Sequence, residues 1–372
     1  MLNYYICEEK ENKVVERKCR GCGALLQIID ADKFGYIPEN QYTQGSQLCR
    51  RCFRINHYGK DEIGPVQADR SLDEINMGIR WSTGVVLVVD ILDFEAGLPH
   101  ELLELIGKKD VVLALNKIDL VPDETSLEEL KRWAEGRLSE FNLSAPKFIL
   151  VSADTGHGFQ QLANEIRFLG KKVLFMGVTN VGKSSVLQRL IKMPIFGGQK
   201  QKNEPTVSPY PGTTVGMSHW EFPRGLILAD SPGYVPQGRI SDLVSPELAA
   251  KIIPHKKLTS HLYPIKPDDL ILIPGLCAIE CIESKDEGVL LAFTGSGVAW
   301  QKSTTKHLEK WLQKDSEISS WEQSFIELQP REDLTISGLG WVSARKSAYK
   351  LNVHLPTGVK LFTRPNLIGR KK

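Results

Sequence analysis

Short, continuous apolar runs alternate with amphipathic stretches through the middle of the chain. The apolar runs cover residues 85–89, 110–115, 148–151, 172–176 and 226–229. The stretches between them repeat their apolar positions every three to four residues, as helices do, at 98–106, 126–138, 159–169 and 185–191. Continuous apolar strands that alternate with helices predict a mostly parallel sheet covered on both faces.

The pattern changes near residue 257, where shorter β-like runs replace the alternation. These runs lie at 270–273, 289–293, 334–336 and 350–355, and one helical stretch lies near 304–314. Glycine-containing turns separate the runs, which is typical of a small β-rich domain. A chain of 372 residues is long enough for two or three domains. We therefore expect an N-terminal module at 1–62, an α/β domain at 66–256 and a β-rich domain at 257–372.

Two C-x-x-C pairs lie in the N-terminal segment, at Cys19 and Cys22 and at Cys49 and Cys52. Two such pairs can complete a tetrahedral zinc site, and the segment has few large aliphatic residues with which to build a core. The alternatives are a redox pair and unrelated buried thiols. A redox pair would be expected in a thioredoxin-like βαβ context, which this segment lacks.

Bulk composition adds few constraints. Charged residues make up 25% of the chain and the formal net charge is +2, so an argument for nucleic acid must rest on local clusters. No secretory signal is visible at the N-terminus, and no apolar run approaches the roughly 18 residues of a membrane span. The sequence predicts a cytoplasmic protein without a membrane partner.

A glycine-rich loop, G-V-T-N-V-G-K-S at 177–184, follows the fourth apolar run and precedes a helical pattern. That order of strand, loop and helix is the context of a phosphate-binding P-loop. Glycines let backbone N–H groups approach an anion closely. Lys183 would reach the β- and γ-phosphates, and the Ser184 hydroxyl would bind Mg²⁺.

Asn116-Lys117-Ile118-Asp119 ends the second apolar run, and Ser152-Ala153 follows the third. A carboxylate at Asp119 can accept from both N1–H and the exocyclic amine of guanine, whereas adenine offers no such pair of donors. The Asn116 amide can bridge base and loop, and the Lys117 stem can cover the ring. A backbone N–H of the Ser152-Ala153 loop would donate to guanine O6.

Asp230-Ser231-Pro232-Gly233 ends the 226–229 run and has the form D-x-x-G. Asp230 would hold Mg²⁺ through water, and the Gly233 N–H would meet the γ-phosphate. The segment between the P-loop and this motif contains Thr213 and Thr214. We favour Thr214 as a Mg²⁺ ligand that engages only in the presence of the γ-phosphate, with Thr213 as the alternative.

These motifs together resemble the translation-factor-related GTPases, but in a different order. N-K-x-D and S-A precede the P-loop here, and D-x-x-G comes last, which is the order of the circularly permuted GTPases. With the N-terminal cysteine pairs and a basic C-terminal domain added, the chain resembles the YqeH-type family of ribosome-assembly GTPases over most of its length. The resemblance implies a permuted GTPase domain, a zinc module and a C-terminal fold like that of the tryptophan RNA-binding attenuation protein.

The resemblance also implies slow intrinsic turnover. Tyr234 occupies the position after D-x-x-G at which Ras-like enzymes carry a glutamine that orients water. In several related proteins a P-loop asparagine helps to bind K⁺, and Asn180 occupies the matching position here. The residues expected to bind nucleotide or its metal ions belong to the five motifs. They are Asn116, Lys117, Asp119, Ser152, Ala153, Gly177, Thr179, Asn180, Val181, Gly182, Lys183, Ser184, Ser185, Thr213, Thr214, Asp230 and Gly233.

The end of the chain is basic, with no acidic residue after Asp333. The basic residues are Arg345, Lys346, Lys350, Lys360, Arg364, Arg370, Lys371 and Lys372, and the aromatic residues among them are Trp341, Tyr349 and Phe362. Such a cluster predicts salt-sensitive RNA affinity with base stacking, although a solvated basic tail remains the alternative. The acidic residues at 315–333 are expected to face away from RNA.

The leading hypothesis is a monomeric GTPase that uses GTP, Mg²⁺, structural zinc and K⁺. It would act in assembly of the small (30S) ribosomal subunit and bind 16S rRNA or its precursor rather than DNA. Lys183, Asn180, Thr214, Asp230 and Gly233 would carry catalysis. The alternatives are an RNA-binding scaffold with negligible turnover and a metabolic P-loop kinase.

Overall fold

The structure is a computed structural model and describes residues 17, 25–29, 36–37, 42, 67–141, 147–196, 206–207, 217–284, 288–314 and 316–368. The chain separates into two compact units, one made of Met1–Ile63 with Val207–Gly216 and the other of Gly64–Thr206 with Met217–Lys372. In the first unit, Ile37 is fully buried and its N–H donates to the carbonyl of Gln27 (2.9 Å).

The first half of the second unit is an α/β domain. Its helices are α1 (Gln67–Trp81), α2 (His100–Ile106), α3 (Leu127–Leu138), α4 (Phe159–Ile166) and α5 (Lys183–Ile191). Its strands are β1 (Gly84–Asp90), β2 (Asp110–Asn116), β3 (Lys147–Leu150), β4 (Lys172–Met176), β5 (Thr206–Val207), β6 (Ser218–Phe222) and β7 (Leu226–Asp230). The five apolar runs of the sequence are strands β1, β2, β3, β4 and β7, as predicted.

The sheet of this domain has the order β3-β2-β1-β4-β7-β6-β5. Strands β1, β2, β3, β4 and β7 are mutually parallel, and β6 runs antiparallel to β7. All seven residues of β1 are buried, as expected for a central strand covered on both faces. The predicted mixed α/β fold with a parallel, P-loop-like sheet is confirmed.

The second half of the unit consists of antiparallel sheets. Its helices are α6 (Pro246–Ile252) and α7 (Leu308–Gln313). Its strands are β8 (Ser260–Ile265), β9 (Asp269–Ile273), β10 (Cys277–Ser284), β11 (Gly288–Thr294), β12 (Gln301–Thr304), β13 (Trp321–Leu328), β14 (Glu332–Ile336), β15 (Gly340–Ala344), β16 (Tyr349–Pro356) and β17 (Leu361–Pro365). They form two five-stranded sheets, β12-β9-β10-β16-β13 and β17-β14-β15-β11-β8. Apolar side chains from both sheets share one core, so the predicted β-rich C-terminal half is confirmed.

The two halves of the second unit are packed together through buried side chains. Phe293 and Trp341 of the antiparallel sheets belong to the same buried cluster as the core of the parallel sheet. The Trp133 indole of α3 also donates to the carbonyl of Pro365 (2.9 Å). Cys277 and Cys281 are buried thiols in this half, and burial raises their pKa values to about 12 and about 11, respectively. Both cysteines therefore behave as core residues.

Candidate nucleotide site

Four sequence motifs meet at one edge of the parallel sheet because each follows the carboxyl end of a strand. Asn116 is the last residue of β2 and Asp230 is the last residue of β7. The glycine-rich loop leads from β4 into α5, and Ser152 lies two residues beyond β3. Carboxyl ends of parallel strands are where α/β sheets bind ligands.

The glycine-rich loop has the backbone of an anion cradle. Gly182 has φ +85°, and a Cβ there would come within 2.5 Å of the Asn116 amide nitrogen. Asn180, at the exposed tip of the loop, has φ +68°, which is uncommon for a residue other than glycine. Helix α5 begins at Lys183, directly after Gly182 and within the P-loop motif. The loop thus leads into a helix N-terminus, where backbone N–H groups are suited to bind phosphate.

Lys183, Ser184 and Asp230 lie together on one side of this loop. The buried Lys183 ammonium pairs with the Asp230 carboxylate and donates to the Ser231 carbonyl (2.5 Å). The Ser184 hydroxyl donates to the other oxygen of Asp230 (3.0 Å). Hydroxyl and carboxylate oxygens are the ligands that Mg²⁺ prefers, so the side chains present fit a magnesium ion next to phosphates.

Asn116 joins three of the motifs. Its amide nitrogen donates to the carbonyl of Val181 in the loop (2.9 Å), and its oxygen accepts from the Ala153 N–H (3.1 Å). The side chain is only 2% exposed, so these bonds are shielded from water. Asn116 thus connects the P-loop to the loop after β3, whereas the sequence predicted that its amide bridges a loop and the guanine base.

Lys117 and Asp119 extend from the same strand end. Lys117 has φ +67°, and its ammonium forms an ion pair with Asp90 at the end of β1 (2.6 Å). Asp119 is half-buried, and within the described part of the chain its carboxylate makes neither a hydrogen bond nor an ion pair. A carboxylate left with free lone pairs at this edge can accept the two donors of guanine. The role of Asp90 was not predicted, although an acidic residue at the end of the strand next to N-K-x-D could have been recognised in the sequence.

The loop after β3 is closed by its own hydrogen bonds. The fully buried Ser152 accepts from the Thr155 N–H through its hydroxyl (3.0 Å) and from the Gly156 N–H through its carbonyl (2.9 Å). Arg189 of α5 donates to the carbonyls of Ala153 (2.9 Å) and Asp154 (2.8 Å). This loop and the helix after the P-loop therefore support each other.

The D-x-x-G segment is attached to the P-loop through the backbone. The Thr179 N–H donates to the Tyr234 carbonyl (2.8 Å), and the Tyr234 N–H donates to the Gly177 carbonyl (3.1 Å). A Cβ on Gly233 would lie 2.9 Å from the Thr179 methyl group, so a larger residue does not fit there without a shift. Tyr234 is itself buried, and burial raises the pKa of its hydroxyl. It occupies the place of a water-orienting glutamine without offering that chemistry.

Arg239 also reaches the P-loop, and it belongs to none of the predicted motifs. Its guanidinium donates to the carbonyl of Thr179 (2.9 Å) and to the Thr179 hydroxyl. It is 4% exposed and is held by Asp242 at 2.8 and 3.1 Å. Burial raises the pKa of nearby Asp93 to about 6, and the positive charge of Arg239 opposes that rise.

Several predicted ligands lie outside the described residues. They are Thr213, Thr214, Cys19, Cys22, Cys49 and Cys52. Among the residues that are described, no group of three or more His, Cys, Asp or Glu side chains is placed to hold a metal ion. The zinc and threonine assignments therefore remain predictions.

The predicted RNA-facing cluster at the end of the chain needs a correction. Trp341, Tyr349 and Arg364 are buried, at 1%, 2% and 1% exposed, and cannot contact RNA in this conformation. Arg364 instead faces Asp333 and Glu95, and Asp333 is fully buried rather than on an acidic outer face. Lys346, Lys350 and Lys360 are exposed, while Arg370, Lys371 and Lys372 lie beyond the described residues.

A phosphate cradle, a magnesium-type ligand pair and a free carboxylate beside N-K-x-D define a P-loop GTPase. A family model described as "50S ribosome-binding GTPase" matches residues 172–273. The chain is 26% identical to the "Uncharacterized protein YqeH" of Bacillus subtilis, over 94% of this chain and 99% of that protein. The chain is 24% identical to "NO-associated protein 1, chloroplastic/mitochondrial" of Arabidopsis thaliana, over 94% of this chain and 76% of that protein. It is 26% identical to "Ribosome biogenesis GTPase A" of Thermotoga maritima, over 40% of this chain and 48% of that protein.

The comparisons thereby confirm the resemblance to the YqeH type over most of the chain, and the chain is a GTPase. As a GTP-hydrolysing enzyme it uses GTP, GDP and Mg²⁺. The kinase alternative is therefore not supported. No helix among the described residues is long and apolar enough to cross a membrane.

Proposed function

We propose that this chain is a circularly permuted GTPase that acts in assembly of the small ribosomal subunit and binds rRNA or a pre-ribosomal particle according to its bound nucleotide. The contact between Asn116 and Val181 carries the proposal. It joins a base-reading motif that precedes the P-loop in sequence directly to that loop in space. Such a contact is what a permuted GTPase domain requires.

The proposed roles of the site residues follow from their contacts. Mg²⁺ would neutralise charge on the β- and γ-phosphate oxygens, with Ser184, Thr214 and Asp230 as its protein ligands or water-mediated partners. Lys183 would exchange its pairing with Asp230 for the phosphates, and the Gly233 N–H would sense the γ-phosphate. The base would be read by Asp119, with the Lys117 stem held over the ring by Asp90.

Slow intrinsic GTP hydrolysis is part of the proposal, because the buried Tyr234 side chain cannot orient the attacking water as a glutamine would. Asn180 stands exposed at the loop tip with a left-handed backbone, where its side-chain oxygen is free to help hold K⁺. Equal hydrolysis rates in Na⁺ and K⁺ would remove the potassium part of this proposal without affecting the rest.

The remaining parts of the chain would contact the particle. We propose a zinc module at 1–62 held by its two C-x-x-C pairs, and an RNA-binding domain at 257–372 that uses the exposed lysines and the basic tail. Resemblance to the YqeH type supports both assignments. A monomer in the cytoplasm is the proposed setting.

Salt-controlled co-sedimentation with each ribosomal subunit, in GDP and in a non-hydrolysable GTP analogue, tests the proposal. We expect binding to the 30S subunit that depends on the nucleotide. The description of the matching family model names the 50S subunit. A preference of this chain for the 50S subunit would overturn the 30S assignment. Equal binding in both nucleotide states would overturn the switch.

A further inference from the structure

Arg239 lies nine residues after Asp230 and is the one described residue whose guanidinium donates to both the backbone and the side chain of the P-loop residue Thr179. Its orientation is fixed, because the Asp242 carboxylate accepts from two nitrogens of the same guanidinium plane (2.8 and 3.1 Å). A planar, two-point pairing of this kind sets direction as well as distance. The side chain is also almost fully buried, so water does not compete for these bonds.

The bond to the Thr179 carbonyl controls a neighbouring N–H group. In a trans peptide the carbonyl of residue 179 and the N–H of residue 180 lie in one plane and point in opposite directions. Fixing the Thr179 oxygen toward Arg239 therefore turns the Asn180 N–H away from it. Asn180 adopts φ +68°, a left-handed conformation that asparagine tolerates better than other residues except glycine and that a fixed neighbouring peptide helps to maintain. The guanidinium supplies part of that restraint.

The backbone on either side of Arg239 is attached to the antiparallel sheets. The Gly238 carbonyl accepts from the Lys360 N–H (2.9 Å), and the Ile240 N–H donates to the Ser337 carbonyl (2.9 Å). Ser337 lies in the turn between β14 and β15, and Lys360 immediately precedes β17. The side chain of Arg239 is thus bonded to the P-loop while its backbone neighbours are bonded to the C-terminal half.

We propose that Arg239 is a positioning residue for GTP hydrolysis. It holds the Thr179–Asn180 peptide of the P-loop in the orientation needed for the transition state, and it does so from a support built by the C-terminal sheets. Its role rests on the GTPase activity and goes beyond the five sequence motifs. A P-loop held in this way would respond to whatever binds the C-terminal half, because the turns at Ser337 and Lys360 form the support.

The test compares Arg239→Met with Arg224→Met, which removes an exposed arginine of the same domain. Turnover at saturating GTP and the Kd for GDP are measured for both variants and for the wild-type enzyme, together with the thermal midpoint. We expect turnover of Arg239→Met to fall at least ~5-fold, since misplaced transition-state donors cost about that or more. The Kd for GDP should stay within ~3-fold, because the other loop amides and Lys183 are untouched.

Turnover of Arg239→Met less than ~5-fold below that of Arg224→Met would overturn the proposal. A parallel loss of GDP affinity would also overturn it, since that result marks a structural role. If Arg239→Met does not fold, Asp242→Asn carries the test with the same thresholds, because it weakens the hold on the guanidinium and leaves Arg239 in place. Absence of turnover in the wild-type enzyme would instead contradict the GTPase activity itself.

Discussion

Single residues connect motifs that lie far apart in this sequence. Asn116 bonds to Val181, 65 positions later, and accepts from Ala153, 37 positions later. Arg239 bonds to Thr179 across 60 positions. Each of these side chains is nearly fully buried, where a hydrogen bond lost from one partner leaves the other unsatisfied at a cost of roughly 1–3 kcal/mol. The nucleotide site is therefore held by a few shielded polar contacts.

Asp119→Asn should change which base the site accepts. The carboxylate of Asp119 has free lone pairs for the N1–H and the 2-amino group of guanine, whereas an amide offers one acceptor and one donor. Xanthine carries a carbonyl in place of the 2-amino group and can accept from that donor. We expect the affinity for GTP to fall at least ~100-fold and that for xanthosine triphosphate to rise above it, as measured by competition with a fluorescent nucleotide.

Asp123→Asn is the matched control for this change. Asp123 is a strongly exposed acid close by in sequence, whose carboxylate pairs with Lys257. The control should keep the affinity and base preference of the wild-type enzyme. Unchanged GTP affinity in Asp119→Asn would show that another group reads the base.

At the residue scale, the sequence predicted positions correctly where a local motif determines them. N-K-x-D and the P-loop predicted that Asn116 and Lys183 lie at the same edge of the sheet, because each motif follows the end of an apolar strand. Arg239 could not be found in this way, since its role depends on a tertiary contact with Thr179. Arg364 was misjudged as an RNA contact for the same reason: a basic residue in a basic tail gives no local sign that it is buried.

At the scale of elements, the turn between β14 and β15 supports the loop that carries Arg239. Gly338 in this turn has φ +73°, and a Cβ there would lie 2.8 Å from the Arg239 Cβ and 2.8 Å from the Ser241 hydroxyl. Its N–H also donates to Asp93 (3.3 Å). The turn and the 239–241 segment therefore fit together only with glycine at this position.

Gly338→Ala should lower turnover through this contact. The added methyl group must displace the Arg239 backbone, and a shift of a few tenths of an ångström there moves the guanidinium relative to Thr179. We expect turnover to fall at least ~3-fold and the thermal midpoint to fall by a few degrees, the latter because alanine is strained at positive φ. Steady-state GTP hydrolysis and thermal unfolding measure the two effects.

Gly358→Ala separates strain from displacement. Gly358 also has a positive φ, +86°, but a Cβ there would meet nothing within 4 Å. Its thermal midpoint should fall by no more than that of Gly338→Ala, because only backbone strain is added, while turnover stays unchanged. Equal turnover in the two glycine variants would contradict the role of the turn.

Elements were predictable where hydrophobicity was continuous and were missed where it was interrupted. All five parallel strands coincide with apolar runs. Burial on both faces explains the run of the central strand β1, all of whose residues are buried, whereas β3 lies at the edge and is only partly buried. Strand β13 was not predicted, since its outward positions Gln323, Phe325 and Glu327 are exposed and the stretch reads as acidic and polar. An edge strand with one solvated face alternates over few residues and leaves a weak pattern.

At the scale of the whole unit, a buried charge network joins the two halves. Arg364 of β17 lies between the Trp133 and Trp341 rings, with its guanidinium carbon 5.2 Å from each ring centroid. It pairs with Glu95 (2.8 Å) from the loop after β1 and with Asp333 (3.5 Å) of β14. One buried cation thus contacts both the parallel-sheet domain and the antiparallel sheets.

The loop after β1 links this network to the nucleotide site. Asp90 holds Lys117, Asp93 accepts from Gly338, and Glu95 pairs with Arg364, all within six positions. A displacement of this loop would therefore change the contacts of Lys117, of the turn that supports Arg239 and of the junction between the halves. This packed, hydrogen-bonded loop can transmit a movement of one half to the other only if the two halves behave as one cooperative unit.

Arg364→Met tests whether the two halves unfold as one. Removing the cation takes the guanidinium from Glu95, which keeps Arg137, and from Asp333, which keeps Ser343, Asn366 and the Leu367 N–H. The lost charge pairing should cost up to roughly 3–5 kcal/mol at the junction, while most of the apolar core of each half remains. We expect calorimetry of the wild-type protein to show one unfolding transition for this unit and calorimetry of Arg364→Met to show two. GDP should raise the midpoint temperature of only one of the two, the unfolding of the parallel-sheet domain. Lys346→Met, which removes an exposed cation of the same half, should retain the single transition. A single transition in Arg364→Met, still raised by GDP, would show that apolar packing alone couples the halves and that the buried cation is dispensable for it.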